Sequence, residues 1–206
     1  ALIAPLALAL SGCATTASIP AASAAPVAAG AVSSADPRAT AAGEAILAAG
    51  GSATDAAIAV MLALTVVEPQ SSGIGGGGFM VRAEAGTGKL VTYDGRETAP
   101  AAATPTRFLD ASGKVLGRES RVFSGLSVGV PGNIALAAKA HAAHGKLPWA
   151  KLFEPAITLA EGGFVMNKRL YESLKGNKGR ADKSDEARAI FFGADGEPLP
   201  LGATVK

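Results

Sequence analysis

Three stretches of this chain carry residue types at spacings that could do chemistry. Ser71–Met80, SSGIGGGGFM, packs five glycines into six positions. Gly125–Gly129, GLSVG, fits the G-x-S-x-G pattern of a serine nucleophile. Tyr93–Glu97, YDGRE, places an arginine beside a glycine and between two acids. Read in isolation, the first suggests a cradle for phosphate and the second acyl transfer. The third suggests capture of a carboxylate, because a guanidinium presents a planar fork of donors.

The elements around each stretch decide which of these chemistries is open to it. Asp36-Pro37 reads as the cap and first position of a helix bearing Ala41, Ala45, Ile46 and Ala49, stopped at Gly50-Gly51. Ser52-Ala53-Thr54-Asp55 resembles a capping start with an acid in the first turn. The helix it opens, DAAIAVMLALTVVEP, is apolar on every face, so it should be buried on all sides; it is too short to span a bilayer. After Pro69 and the glycines, FMVRAE and KLVTYD flank AGTG as a β-hairpin. A loop-rich region follows, in which Ser112-Gly113 turns between two short extended pieces. RVFSGLSVGV reads as extended up to Pro131-Gly132. Helical spacing returns over Asn133–His144 and Trp149–Glu161, with Gly145 and Gly162 as stops. That order predicts an α+β fold, a mixed sheet with helices layered on it.

In this setting the glycine run has a helix before it and a strand after it, the reverse of a nucleotide loop. No helix N-terminus aims its amides at a phosphate, and no lysine follows until Lys89. The run is better suited to letting backbone pass close to backbone. The serine elbow fails as well: the chain stays extended beyond Ser127, and no acid lies between it and His141 or His144. Those histidines, three apart on an alanine-rich helix with no third ligand, read as a solvated edge. For Arg96 two readings stay open: a carboxylate-binding residue, or a structural ion pair with Asp94 or Glu97.

Composition narrows the class further. In 206 residues, 49% hydrophobic content is ample for a core, while 5% aromatics point to close packing through small side chains. A net charge of +2 with no basic stripe gives no footprint for nucleic acid. Cys13 is the sole cysteine, which excludes an internal disulfide and a thiolate metal cluster. The apolar opening ALIAPLALAL runs into Leu10-Ser11-Gly12-Cys13, which resembles a bacterial lipobox with Cys13 as the lipidation site. Residues 1–13 therefore read as a lipoprotein-type signal lacking its n-region, and residues 14–35 as a flexible Ala/Ser/Pro tether that does not pack. Residues 36–206 read as one partial domain, with GATVK ending on no terminal element. The expected location is exported: periplasmic, or anchored to a bacterial membrane by lipid.

The ordered blocks GGSATDAAIAVMLALTVVEPQSSGIGGGGFM, YDGRETAP and SGLSVGVPG, the last followed by a helix, resemble the N-terminal part of the large subunit of the γ-glutamyltransferase (glutathione hydrolase) family. That resemblance implies an N-terminal nucleophile hydrolase with an αββα sandwich, of which only the N-terminal portion is present. It also implies a proenzyme that cuts itself into large and small subunits and needs no metal or organic cofactor. The newly exposed threonine would be both nucleophile and, through its own amine, base. It would pass the γ-glutamyl group of glutathione or a related amide to water or to an amino-acid or peptide acceptor. Arg96 matches the family arginine that binds the donor α-carboxylate. No residue here matches the nucleophile: Thr15-Thr16 is not followed by histidine, and Thr204 lacks the Thr-Thr/Ser-His context. The chain alone is thus expected to be inactive and to need its small subunit as partner. Alternatives are a cephalosporin-type acylase, a poly-γ-glutamate-processing relative, or a non-catalytic lipid-anchored binding protein.

Overall fold

A computed structural model describes residues 30–206. Cys13, the lipobox-like segment and most of the expected tether lie outside the described residues.

Helix α1 (Pro37–Ala48) begins where Asp36 caps it and Pro37 pre-sets the first turn. The Asp36 side chain is buried and accepts from the Arg38 backbone N–H at 2.9 Å, from the Arg38 guanidinium at 2.6–2.8 Å, and from Asn167 Nδ2 at 3.1 Å. Helix α2 (Ala53–Val67) starts with a reciprocal capping box. Ser52 Oγ accepts from the Asp55 N–H at 3.1 Å, and Asp55 Oδ2 accepts from the Ser52 N–H at 2.8 Å. Strands β1 (Gly78–Ala83) and β2 (Leu90–Gly95) form the expected antiparallel hairpin, with Gly78 opposite Gly95 and Ala83 opposite Leu90. Its outward face leaves Phe79, Val81 and Leu90 exposed. Then come α3 (Arg118–Val122), α4 (Asn133–His144), α5 (Glu154–Gly162), β3 (Phe164–Val165), α6 (Lys168–Gly176), α7 (Lys178–Ala181), α8 (Asp185–Phe191) and β4 (Thr204–Val205).

Helix α2 is the spine. Its Ala63 and Val67 join one core with Ala39 and Ala42 of α1, Leu170 and Leu174 of α6, and Phe164, Met166, Phe192 and Val205. Its Ala56, Ile58, Ala59 and Leu62 join a second core with Ile46 of α1, Ala137 of α4, Ala156 of α5 and Leu152 just before α5. Small residues set the spacing: a Cβ at Gly43 of α1 would lie 2.7 Å from Val60 of α2. Eight of the fifteen residues of α2 are buried and five are partly buried, while Ala53 and Ala57 in its first turns are exposed, so the helix is not enclosed on every face.

Several expectations need correction. No mixed sheet forms among the described residues; the hairpin and the β3–β4 pair are separate two-stranded antiparallel units. The stretch read as extended from Arg121 instead holds the end of α3 and a 3-10 turn at Gly125–Ser127, capped by Ser124. The helix expected over Trp149–Glu161 is split into a 3-10 turn, Trp149–Leu152, and α5, whose start is set by Pro155 in its first turn. Of residues 30–35, Val32 and Ser34 make contacts with α1 while Gly30, Ala31, Ser33 and Ala35 are exposed. Val32 lies over Gly43, whose added Cβ would be 2.8 Å from it, and Ser34 Oγ sits 2.8 Å from both the Asp36 carbonyl and Thr40 Oγ1. The GATVK end does form an element, since Val205 pairs with Phe164 and is buried in the first core. His141 is no solvated edge: its Nε2 is 2.8 Å from the Leu147 carbonyl, and its ring lies against Trp149.

Two close approaches join these parts. Asp55 Oδ2 also accepts from the backbone N–H groups of Lys146 and Leu147, at 2.8 and 3.2 Å, which fastens the turn after α4 to the start of α2. The N–H groups of Gly132 and Asn133 both donate to the Gly76 carbonyl at 3.1 Å, and a Cβ at Gly132 would stand 2.0 Å from the Gly95 carbonyl oxygen. Only glycine lets α4 begin that close to the hairpin base.

Burial pushes the Asp55 carboxyl up, but the N–H groups of Ser52, Lys146 and Leu147 outweigh it and hold the group below the usual carboxylate range. Burial likewise raises Asp36, and the Arg38 side chain and backbone, with Asn167, more than offset it. Both carboxyls are depressed in the fold. Their contribution is therefore present above the unfolded value, about 4, and is lost as pH falls through the lower folded values. Urea unfolding should show stability falling below about pH 4, and Asp55→Asn should remove part of that acid dependence while costing about 2–4 kcal/mol at neutral pH. Gly132→Ala should cost at least as much as a core cavity, about 2 kcal/mol or more, because two backbones rather than a flexible side chain must separate; thermal unfolding checks it.

Candidate functional site

The last residues of β2 and the chain just beyond them build the site. Asp94 Oδ1 accepts from the Arg96 N–H at 2.8 Å and so turns the chain out of the strand. Two residues on, Thr98 and Val130 exchange backbone hydrogen bonds at 3.3 and 2.9 Å, and these lock the segment to the approach into α4. Between the two restraints the backbone of Arg96 and Glu97 is fixed. The Arg96 side chain is 72% exposed, and its one acidic partner among the described residues is Glu97, with Nη1 3.5 Å from Oε2.

Two contacts bear on the readings of Arg96 as a carboxylate-binding residue or as a structural ion pair. Asp94 engages the Arg96 backbone, not its guanidinium, and the contact with Glu97 is long and exposed on the arginine side, although Glu97 Oε2 itself is buried. Such a pair contributes at most about 1 kcal/mol and leaves most of the donor fork free for a ligand. Arg96 stands on the ridge between two grooves. One, of about 680 Å³, runs between β2 and the start of α4 past Tyr93, Gly132, Leu136 and Lys139. The other, of about 400 Å³, lies between residues 98–108 and residues 126–129 and includes Thr98, Phe108 and Ser127. Arg107 lines the second groove with its guanidinium committed to the carbonyls of Leu126 and Gly125, at 2.6 and 3.1 Å, so it serves as a brace.

The other two candidate stretches do not form the sites their patterns suggest. Ser127 lies in a 3-10 turn with its hydroxyl within 3.2 Å of the carbonyls of Val122 and Ser124. His141 is committed to Leu147, and His144 stands edge-on to Tyr93, so neither activates Ser127. The glycine run leads into β1 and not into a helix N-terminus that could cradle a phosphate. It lies against the site itself, where Asn133 Nδ2 donates to the Gly73 carbonyl at 2.8 Å and Gly77 passes beside Glu97. Reading the sequence missed the part Asn133 plays, and it named Glu97 only as a possible ion-pair partner of Arg96. Both stood in plain view, one directly after Arg96 and the other as the first helical residue after Pro131-Gly132, but which partners they meet is set across 20 to 60 residues of chain.

Comparison with known proteins places this geometry. The family model for gamma-glutamyltranspeptidase matches residues 39–206. The glutathione hydrolase proenzyme of Bacillus subtilis (strain 168) is 40% identical over 176 residues, which are 85% of this chain and 30% of that protein. The crystal structure of Helicobacter pylori gamma-glutamyltranspeptidase superposes with a TM-score of 0.79 at 36% identity, covering 86% of this chain and 50% of that one. A cephalosporin acylase from Bacillus halodurans superposes less closely, with a TM-score of 0.66 at 30% identity over 82% of this chain and 31% of that one. The chain thus spans about half of the solved transpeptidase chain and under a third of the curated relative. Both measures of likeness rank the transpeptidase above the acylase. The α+β arrangement is that of the N-terminal nucleophile hydrolases of this type, and the chain belongs to the gamma-glutamyltranspeptidase family.

Proposed function

We propose that this chain supplies the donor-carboxylate end of a γ-glutamyltransferase, or glutathione hydrolase, and that the complete protein moves the γ-glutamyl group of glutathione or a related amide to water or to an amino-acid or peptide acceptor. The observation that carries the reading is Arg96: its backbone is immobilised by Asp94 and by the Thr98–Val130 bridge, while its guanidinium is open. A carboxylate gripped by two parallel N–H bonds would be fixed in direction as well as position. In a γ-glutamyl amide the scissile carbonyl lies several bonds from the α-carboxylate. Holding that far end orients the amide carbon toward a nucleophile contributed by the small subunit.

The small subunit would supply a threonine that forms the γ-glutamyl ester and releases the amine, together with the donors that stabilise the tetrahedral oxyanion. Water or an acceptor amine then takes the acyl group and frees the threonine. The α-amino end of the donor would meet partners on that subunit as well. We also propose export, with lipid attachment at Cys13 anchoring the enzyme to a bacterial membrane. The support for this is the lipobox-like Leu10-Ser11-Gly12-Cys13 after an apolar run.

The complete, processed protein should release product from a chromogenic γ-glutamyl amide, and no release by the processed protein would reject the reading. Arg96→Lys should raise KM for the donor about tenfold or more with a much smaller change in kcat, since an ammonium replaces a bidentate fork; steady-state kinetics against donor concentration checks it, and unchanged kinetics would remove Arg96 from the site. Cys13→Ser should shift the protein from the detergent phase to the soluble fraction, and loss of incorporated labelled fatty acid is the direct readout.

A further inference from the structure

The glycine run is the motif that the functional reading leaves unused, and its contacts give it a role. A Cβ added at Gly77 would stand 2.5 Å from Glu97 Oε2, 2.6 Å from the Gly95 carbonyl oxygen and 2.8 Å from the Glu97 backbone nitrogen. From the opposite side, a Cβ at Gly129 would stand 2.9 Å from Glu97 Cβ. The Glu97 side chain thus sits between two glycine backbones drawn from segments about 50 residues apart. Its Oε2 is buried and accepts no hydrogen bond among the described residues. An ionised oxygen in that situation carries a desolvation penalty unless a cation answers it, and the cation within reach is Arg96 Nη1.

We infer that Gly77 and Gly129 form a socket for the Glu97 carboxylate, and that Glu97, held there, is a positioning residue that sets the direction of the Arg96 guanidinium. This rests on the reading of Arg96 as the donor-carboxylate site. Glu97 engages the Nη1 side of the guanidinium, which leaves the edge formed by Nε and Nη2 for the two oxygens of an incoming carboxylate. A free arginine side chain samples many rotamers, and restraining it before the ligand arrives lowers the ordering cost of binding. The glycines serve binding indirectly: any side chain at position 77 would displace the carboxylate that aims the arginine, because two of the three nearest atoms are backbone and cannot swing aside.

The test is a double-mutant cycle in the complete, processed enzyme with a γ-glutamyl chromogenic amide as donor. Glu97→Gln keeps the size of the side chain and removes its charge; it should raise donor KM roughly three- to tenfold with kcat within about twofold. Gly77→Ala should give the same KM-selective change. In the Arg96→Lys background Glu97→Gln should add little further, because it acts through the arginine it no longer aims. An unchanged KM for Glu97→Gln would overturn the inference, as would losses that multiply in the double variant. If Gly77→Ala does not fold, Glu97→Gln and the cycle still decide the matter. Failure here is distinguishable from failure of the functional reading: the former leaves an active wild-type enzyme with an Arg96-dependent KM, and the latter does not.

Discussion

A single buried carboxylate, Asp55, carries most of the organisation. It closes the capping box of α2 and takes two more backbone N–H groups from the turn after α4, so one side chain satisfies donors from two distant parts of the chain. Each of those donors thereby gains a charged acceptor, which makes a stronger bond than a neutral one. Because α2 contributes to both hydrophobic cores, pinning its N-terminus also fixes where α1, α4 and α5 pack on it. Asp36 plays the matching part at the other end of the molecule: with Arg38 and Asn167 it ties the start of α1 to the β3–α6 connection, and Arg38 also reaches the Val165 carbonyl.

From that frame the site follows. Helix α4, held at its C-terminal end through Lys146 and Leu147, meets the hairpin base at its N-terminal end through Gly132 and Gly95. The glycine run threads between them, fastened by the Gly76 carbonyl and by Asn133. The result is a rigid backbone that projects one exposed arginine. A binding residue is well served by that combination, because fixed main chain gives direction while an exposed head keeps its donors for the ligand.

Much of this was legible in the sequence, for local reasons. The caps at Asp36 and Ser52, the all-round apolar character of α2 and the two runs around AGTG each depend on neighbours within a few residues, and all formed as read. The segment around Ser127 did not. Its β-branched and apolar residues suit a strand, but among the described residues no strand pairs with Arg121–Ser127, and Ser124 and Ser127 instead turn their hydroxyls onto nearby backbone. The β3–β4 pair was illegible for the opposite reason: two residues on each side are too few to show periodicity, and they are held by burial of Phe164 and Val205 in a core assembled from five elements.

The sequence by itself determined α1, α2, α4, the hairpin and the family likeness, and it is that likeness that makes Arg96 a candidate to grip a carboxylate. It also excluded a nucleotide loop and a serine elbow, since both require an order of elements that the chain does not have. Only the tertiary structure decided what the glycines face, which acid Arg96 meets, and why His141 is half-buried rather than solvated. These are contacts between segments far apart in the chain. Their identity depends on how α2, α4 and the hairpin pack together, and no local spacing encodes that packing.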